Sequence, residues 1–192
     1  MPKKFTTKLI GPRLVLKPSK PTIKMATAMF ELIDANRKHL RPWFPWEKLT
    51  LTIEDSLKYL FDKEGKVKAG EKIEYAIYVD REYIGNISIF NINDKKRSAE
   101  IGYWLSAAAT RNGYMTEAVK IIEKEFFITH NLNRLAITCD ERNIASAGVA
   151  KKCAYILEGK FRQDVYSEHF KDFRNTLIFS KLQSEFKKEK KK

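Results

Sequence analysis

A chain of 192 residues holds one domain with a sizeable core, or at most two small ones. Its 43% hydrophobic content and twelve phenylalanines mark a globular chain and exclude a disordered one. The net charge of +13 includes +4 from the stretch KKEKKK (187–192), and the remainder is interspersed with acidic residues.

No apolar run approaches the ~18–20 residues that span a bilayer. The opening MPKKFTTKLIGPR lacks the apolar stretch of a secretory signal, so no membrane association is expected. Two cysteines, Cys139 and Cys153, make no disulfide framework and read as free thiols, which points to a cytoplasmic protein. A chain this basic attracts polyanions such as RNA, acidic surfaces or nucleotide-like cofactors. It shows no zinc-ligand spacing and no RRM-type motif. The charge therefore reads as a solvated basic surface, with no metal and no direct nucleic-acid binding.

In chain order, RLVLKPS (13–19) alternates apolar and polar residues as a half-buried strand does, and Pro18 and Pro21 break it. Thr22 to Leu40 carries Ile23, Met25, Ala26, Met29, Phe30, Leu32 and Ile33 at helical spacing. A second helix is expected over Glu54–Ala69, its start marked by Thr52 with Asp55 three residues later. Three strands follow in IEYAIYVD (73–80), YIGNISIFNI (83–92) and SAEIGYWLS (98–106), and their short links favour antiparallel pairing. A helix over 114–129, the buried strand RLAITCD (134–140), a helix in NIASAGVAKKCA (143–154) and two final strands complete the order. The pattern is that of one α+β domain over 1–182 around a mixed sheet, followed by a basic, disordered tail over 183–192.

TRNGYMTEAV (110–119) joins a strand to an amphipathic helix. Two readings fit it. In one, Asn112 caps the helix, Gly113 makes the turn and Arg111 is solvated. In the other, the first amides of the helix, a glycine that lets a ligand approach the backbone, and a permanent guanidinium form a phosphate site.

EIGYWLSAAATRNGYMTEAV (100–119) resembles the acyl-CoA-binding signature of GNAT acetyltransferases, a Q/R-x-x-G-x-G/A loop that receives the cofactor pyrophosphate. Thr110 stands where Gln or Arg is usual, and Met115 where the last small residue is usual. Met at that place is common in the ribosomal-protein N-terminal acetyltransferase, or Rim-type, branch. CDERNIASAGVAKKCAYILEG (139–159) is similar to that branch's N-x-x-S-x-x-V-x-x-K-x-G-F-x-x-E-G block, with Ala154 for glycine and Tyr155 for phenylalanine. NRKHLRPWFPW (36–46) resembles its W-x-P-W segment near the acceptor.

The resemblance implies a GNAT-like, mostly antiparallel sheet with helices on both faces, and acetyl-CoA as cosubstrate. It implies that Thr110, Arg111, Asn112, Gly113, Tyr114 and Met115 hold the pyrophosphate, mostly through backbone amides. The splayed strand around Leu105 and Ser106 would offer a backbone donor to the thioester oxygen and a rim for the pantetheine arm. Asn143 would contact pantetheine or cap its helix. The tyrosine acid of many relatives falls at Ala150, which leaves Ser146 as the candidate acid for the departing thiolate. Glu100 is the candidate base, acting directly or through water. An alternative base on the strand after EG falls near Val165, with Asp164 a distant substitute. Trp43, Trp46 and Tyr103 are the candidate acceptor residues, and the tryptophans can equally form a satellite hydrophobic cluster.

The function implied is direct acetyl transfer to a primary amine, such as the N-terminal α-amine of a ribosomal protein. A small-molecule amine acetyltransferase and a non-catalytic acyl-CoA-binding or RNA-associated module are the competing readings. A homodimer is left open.

Overall fold

The structure is a computed structural model and describes residues 5–189. Its eight strands form one mixed sheet, mostly antiparallel as expected, in the order β1-β2-β3-β4-β5-β6-β8-β7. The chain divides into two compact units. The first runs to Ser88 and includes Tyr103–Tyr114; the second takes Ile89–Gly102 and the chain from Met115 onward.

The first unit begins with β1 (Leu9–Ile10) and β2 (Leu14–Pro18), paired antiparallel. Helix α1 (Ile23–Asp34) is capped by Thr22, whose hydroxyl accepts the Met25 N–H at 3.2 Å. Its Met25, Met29 and Ile33 recur on one face and pack with Ala26, Leu40, Leu60 and Ala76. The helix expected to reach Leu40 stops at Asp34, and a short α2 (Arg37–Leu40) follows. Asn36 lies at this break with φ −122°, its side-chain amide donating to the Leu32 carbonyl at 2.8 Å. The local bond competes with helix continuation.

A 3-10 turn over Pro45–Leu49 leads to α3 (Ile53–Lys68). The expected Thr52–Asp55 capping box is present, each side chain taking the other's backbone N–H. Strand β3 (Ile73–Val79) pairs antiparallel with β2 and buries Tyr75, Ala76 and Ile77. Lys63 of α3 reaches Glu74 of β3 across 2.5 Å, both side chains buried. Tyr59 and Ser88 donate to the other Glu74 oxygen at 2.7 and 3.0 Å, so this buried charge is paired and hydrogen-bonded.

β4 (Glu82–Asn93) and β5 (Ser98–Leu105) each pass from one unit to the other along their length. In the second unit, α4 (Tyr114–Lys124) ends in a π-helical turn over Glu125–Thr129, within the single helix expected there. β6 (Arg134–Asp140) lies parallel to β5, in register from Ser98↔Arg134 to Glu100↔Ala136. Then come α5 (Ile144–Lys152), β7 (Ile156–Ser167) and β8 (Asp172–Leu182), with β8 antiparallel to both β6 and β7. The core here is built from Ala118, Val119, Ile122, Phe126, Phe127, Leu135, Ile137 and Phe179.

The stretch expected to be a disordered tail from residue 183 instead forms α6 (Gln183–Glu189), whose Phe186 is buried against Phe127 at a ring distance of 5.3 Å. Residues 190–192 of the lysine run lie outside the described residues. The buried Lys181 ammonium takes the Cys153 carbonyl at 2.8 Å, Glu189 at 2.7 Å and both Glu123 oxygens at 3.3 Å. Burial pushes the Glu123 carboxyl up to about 7 against the pull of Lys181. Among the described residues, no helix is long and apolar enough to cross a membrane.

One contact fixes the end of β5. Gly85 has φ +148°, and a Cβ there would lie 2.2 Å from the Trp104 carbonyl oxygen and 2.8 Å from Leu105 Cα. Only glycine allows the strands to approach so closely. Gly85→Ala should therefore cost about 1–3 kcal/mol, the range for overpacking in a close-packed interior. Chemical denaturation checks it; an unchanged stability would show that β5 can shift aside without cost.

Candidate active site

The backbone leaving β5 is tied down bond by bond. The Ser106 N–H donates to the Ile84 carbonyl at 2.9 Å, and the Ala107 N–H to Asn36 Oδ1 at 2.8 Å. A 3-10 turn over Ala107–Ala109 follows, where Thr110 donates to the Ala107 carbonyl through both its N–H (3.1 Å) and its hydroxyl (2.7 Å). Arg111 and Gly113 then adopt left-handed φ values of +63° and +78°, and the chain enters α4 at Tyr114. Arg111, Asn112 and Gly113 are exposed. This loop leads into an eleven-residue helix, at whose first amides partial positive charge collects.

The Asn112 side-chain amide donates to the carbonyls of Ala108 (3.3 Å) and Thr110 (3.1 Å), bonds that stay within the loop. The Tyr114 ring is half-buried and lies 4.8 Å beneath the Arg13 guanidinium, while Met115 is buried. Both side chains therefore pack, and their amides are what the loop can offer a ligand.

Leu105 and Ser106 were expected to offer a backbone donor together. Ser106 is corrected on this point, because its N–H is already committed to Ile84. Leu105 differs. The Trp104 carbonyl points toward Gly85, and in a trans peptide the following N–H points the opposite way. The Leu105 N–H thus faces away from β4.

Further along this unit, Trp46 packs against the core cluster, 5.2 Å from the Phe44 ring and 6.0 Å from Trp104, which in turn meets Tyr83 at 6.2 Å. Trp46 is half-buried, with part of its ring committed to this packing. Trp43 and Tyr103 are half-buried. Sequence reasoning missed an ionic clasp in this segment. The buried Glu47 carboxylate accepts from Arg37 Nη1 at 3.1 Å and Arg41 Nε at 3.1 Å. Arg37 also donates to the carbonyls of Glu47 (3.0 Å) and Thr50 (2.7 Å). Hydrogen bonding from Arg41, then from Arg37, holds the Glu47 carboxyl below its usual range although burial opposes this.

In the second unit, Glu100 is half-buried on β5 and accepts from the Asn91 side-chain amide at 2.9 Å. Asn143 caps α5, its Oδ1 accepting the Ser146 N–H at 3.0 Å. Ser146 lies beside the Cys139 thiol, which burial raises above its ordinary range while the Ser146 hydroxyl pulls it down. The buried Asp140 fixes the turn between β6 and α5 by accepting from Arg142 N (2.9 Å), Nε (3.0 Å) and Nη2 (2.8 Å). Ala150, at the place of the missing tyrosine acid, is fully buried. Val165 is exposed, and Asp164 accepts the Thr176 hydroxyl at 2.9 Å.

The structure thus gathers Leu105, Ser106 and the Thr110–Tyr114 loop in the first unit, and Asn143 with Ser146 in the second. Two residues that sequence reasoning missed support the loop, Asn36 and Arg13. Asn36 reaches it across 71 positions and Arg13 across 99, a separation at which no local pattern operates.

A left-handed, glycine-centred loop that joins the end of a strand to a helix suits an acyl-CoA-dependent acyltransferase. The chain belongs to the GNAT acetyltransferases: the family model described as "Acetyltransferase (GNAT) domain" matches residues 13–155. It is an acetyl-CoA-dependent N-acetyltransferase, and the non-catalytic reading is set aside.

Among its relatives, the ribosomal-protein-serine acetyltransferase of Escherichia coli (strain K12) is 28% identical over 135 residues, covering 70% of this chain and 75% of its own. The putative ribosomal N-acetyltransferase YdaF of Bacillus subtilis (strain 168) is 27% identical over 168 residues, 87% of this chain and 91% of its own. Among solved structures, RimL, a ribosomal L7/L12 α-N-protein acetyltransferase in complex with coenzyme A, shares the fold at a TM-score of 0.85 and 22% identity. The match covers 91% of this chain and 97% of that one.

The Glu47 clasp yields a pH-dependent prediction. Its folded-state pKa lies below the ordinary 4.5, so its stabilisation is present above that value and is lost as pH falls through the depressed one. Glu47→Gln should lower stability by about 1–3 kcal/mol at pH 7, and the two proteins should converge on acidification. Coincident thermal melts at neutral pH would show that the clasp contributes nothing.

Proposed function

We propose that this enzyme acetylates the N-terminal α-amine of a protein, with a ribosomal protein the leading acceptor, in the cytoplasm. The observation that carries the cofactor part is the loop Arg111–Met115, with its left-handed Arg111 and Gly113 and its exposed start at 111–113, opening a helix. The acceptor part is supported by the relatives named as ribosomal-protein acetyltransferases.

Acetyl-CoA supplies an activated acyl group as a thioester. The residues present suit its diphosphate: Gly113 has no side chain to block the loop, and Arg111 adds a permanent cation with a planar fork. The Leu105 N–H would meet the charge developing on the thioester oxygen, a fixed dipole that needs no reorganisation during reaction. The amine must be neutral to attack, yet its ordinary pKa near 8 leaves most of it protonated at pH 7. Glu100 takes that proton, directly or through water, and Ser146 returns one to the departing thiolate. Asn143 holds Ser146 in place through the cap. The half-buried Trp43 and Tyr103 are the acceptor candidates, whereas Trp46 shapes the segment from within.

The test is mass-spectrometric detection of a single acetyl group on peptides bearing ribosomal-protein N-termini, with a polyamine and free amino acids as competing acceptors. Acetylated peptides with untouched small amines would support the proposal; the reverse would transfer the enzyme to small-molecule chemistry. On the preferred acceptor, Glu100→Gln and Ser146→Ala should each lower kcat by about 100-fold or more and leave acetyl-CoA affinity unchanged. Unaltered rates in both variants would remove these residues from the proton steps.

A further inference from the structure

We infer that Arg13 is a positioning residue for the cofactor loop, holding the Asn112–Gly113 peptide so that its N–H faces the phosphate site. This rests on the reading of Arg111–Met115 as that site. Arg13 immediately precedes β2, whose Leu14 and Leu16 are fully buried and whose register with β3 is continuous. The side chain therefore projects from an anchored strand. Its Nη1 donates to the Asn112 carbonyl at 3.0 Å, its guanidinium lies over the Tyr114 ring at 4.8 Å, and its Nη2 lies 3.5 Å from where a Gly113 Cβ would be. One planar group thus spans three consecutive residues of the loop.

The consequence follows from peptide geometry. In a trans peptide the C=O and the following N–H point in opposite directions. With the Asn112 oxygen held by Arg13, the Gly113 N–H points away from the guanidinium. Gly113 is the residue at which this arrangement is easiest to lose, because glycine accepts either sign of φ. A flip of the Asn112–Gly113 peptide would replace an amide donor with a carbonyl oxygen, and a phosphate would meet negative instead of positive partial charge. Arg13 opposes that flip with a charge-assisted hydrogen bond, and stacking on Tyr114 fixes the fork that makes it. A lysine has no planar fork to stack in this way.

The experiment compares wild type with Arg13→Ala and Arg13→Gln in calorimetric titrations with CoA, dephospho-CoA and pantetheine. Thermal melts verify that each variant is folded. Dephospho-CoA keeps the pyrophosphate and lacks the 3′-phosphate; pantetheine lacks both. Both variants should bind CoA and dephospho-CoA about tenfold more weakly, the worth of one charge-assisted hydrogen bond, with pantetheine unaffected. In steady-state assays KM for acetyl-CoA should rise by a similar factor while kcat holds. A loss confined to CoA would place Arg13 at the 3′-phosphate and overturn the proposal. Equal losses on all three ligands, or no loss on any, would also overturn it. If wild type itself bound pantetheine as tightly as CoA, the phosphate-loop reading would fail first.

Discussion

The close approach of Gly85 to the Trp104 carbonyl sets what the end of β5 can do. With no Cβ on Gly85, the backbones of β4 and β5 come near enough for the Trp104 carbonyl to turn toward β4 and for Ser106 to donate to Ile84. Those two facts orient the peptide between them, leaving the Leu105 N–H on the opposite edge of the strand. They also fix where the chain leaves the strand. From there Asn36 Oδ1 accepts the Ala107 N–H, the 3-10 turn closes, and the loop reaches α4. On the proposed reading, the Leu105 N–H and the Arg111–Met115 loop are spaced by one short, hydrogen-bonded run of backbone. A larger residue at 85 would disturb both.

Asn36 and Glu47 link this run to the rest of the first unit. Asn36 ends α1 by bonding the Leu32 carbonyl and holds the loop with its other side-chain atom. Glu47, with Arg37 and Arg41, pins the segment that carries Trp43 and Trp46. Buried charges of this kind contribute little net stability but cost much when broken, so they favour one arrangement over its alternatives. The Lys63–Glu74 pair does the same between α3 and β3, and Lys181 between β8 and its carboxylate partners. Within the first unit, the backbone leaving β5 is braced by Ile84 and Asn36, a fixed geometry of the kind that preorganised catalysis requires.

Local chemistry was legible in the sequence. The Thr52 cap, the two final strands and the glycine-centred helix start each follow from a few adjacent residues, and the structure carries them. What the sequence hid was long-range or stereochemical. Arg13 read as the polar start of an alternating strand, because its partner lies 99 positions away. Ser106 looked equivalent to Leu105 until the direction of each N–H was known. The tail over 183–189 looked disordered by its lysines, yet one buried aromatic, Phe186, and the bond from Lys181 to Glu189 accompany its helix. The packing of the Trp46 ring against Phe44 and Trp104 was likewise not legible from the motif.

The most direct test of the account is calorimetric titration of wild type and Gly113→Glu with acetyl-CoA at near-physiological salt, with ATP as a polyanion control. Wild type should bind acetyl-CoA saturably and ATP not at all; the variant should stay folded, melting a few degrees lower because a side chain is strained at φ +78°, and lose acetyl-CoA binding. A glutamate would place both a side chain and a negative charge where the loop offers amides. Equal binding of the two nucleotides by wild type, or acetyl-CoA binding that survives in Gly113→Glu, would contradict the assignment of Arg111–Met115 as the cofactor loop.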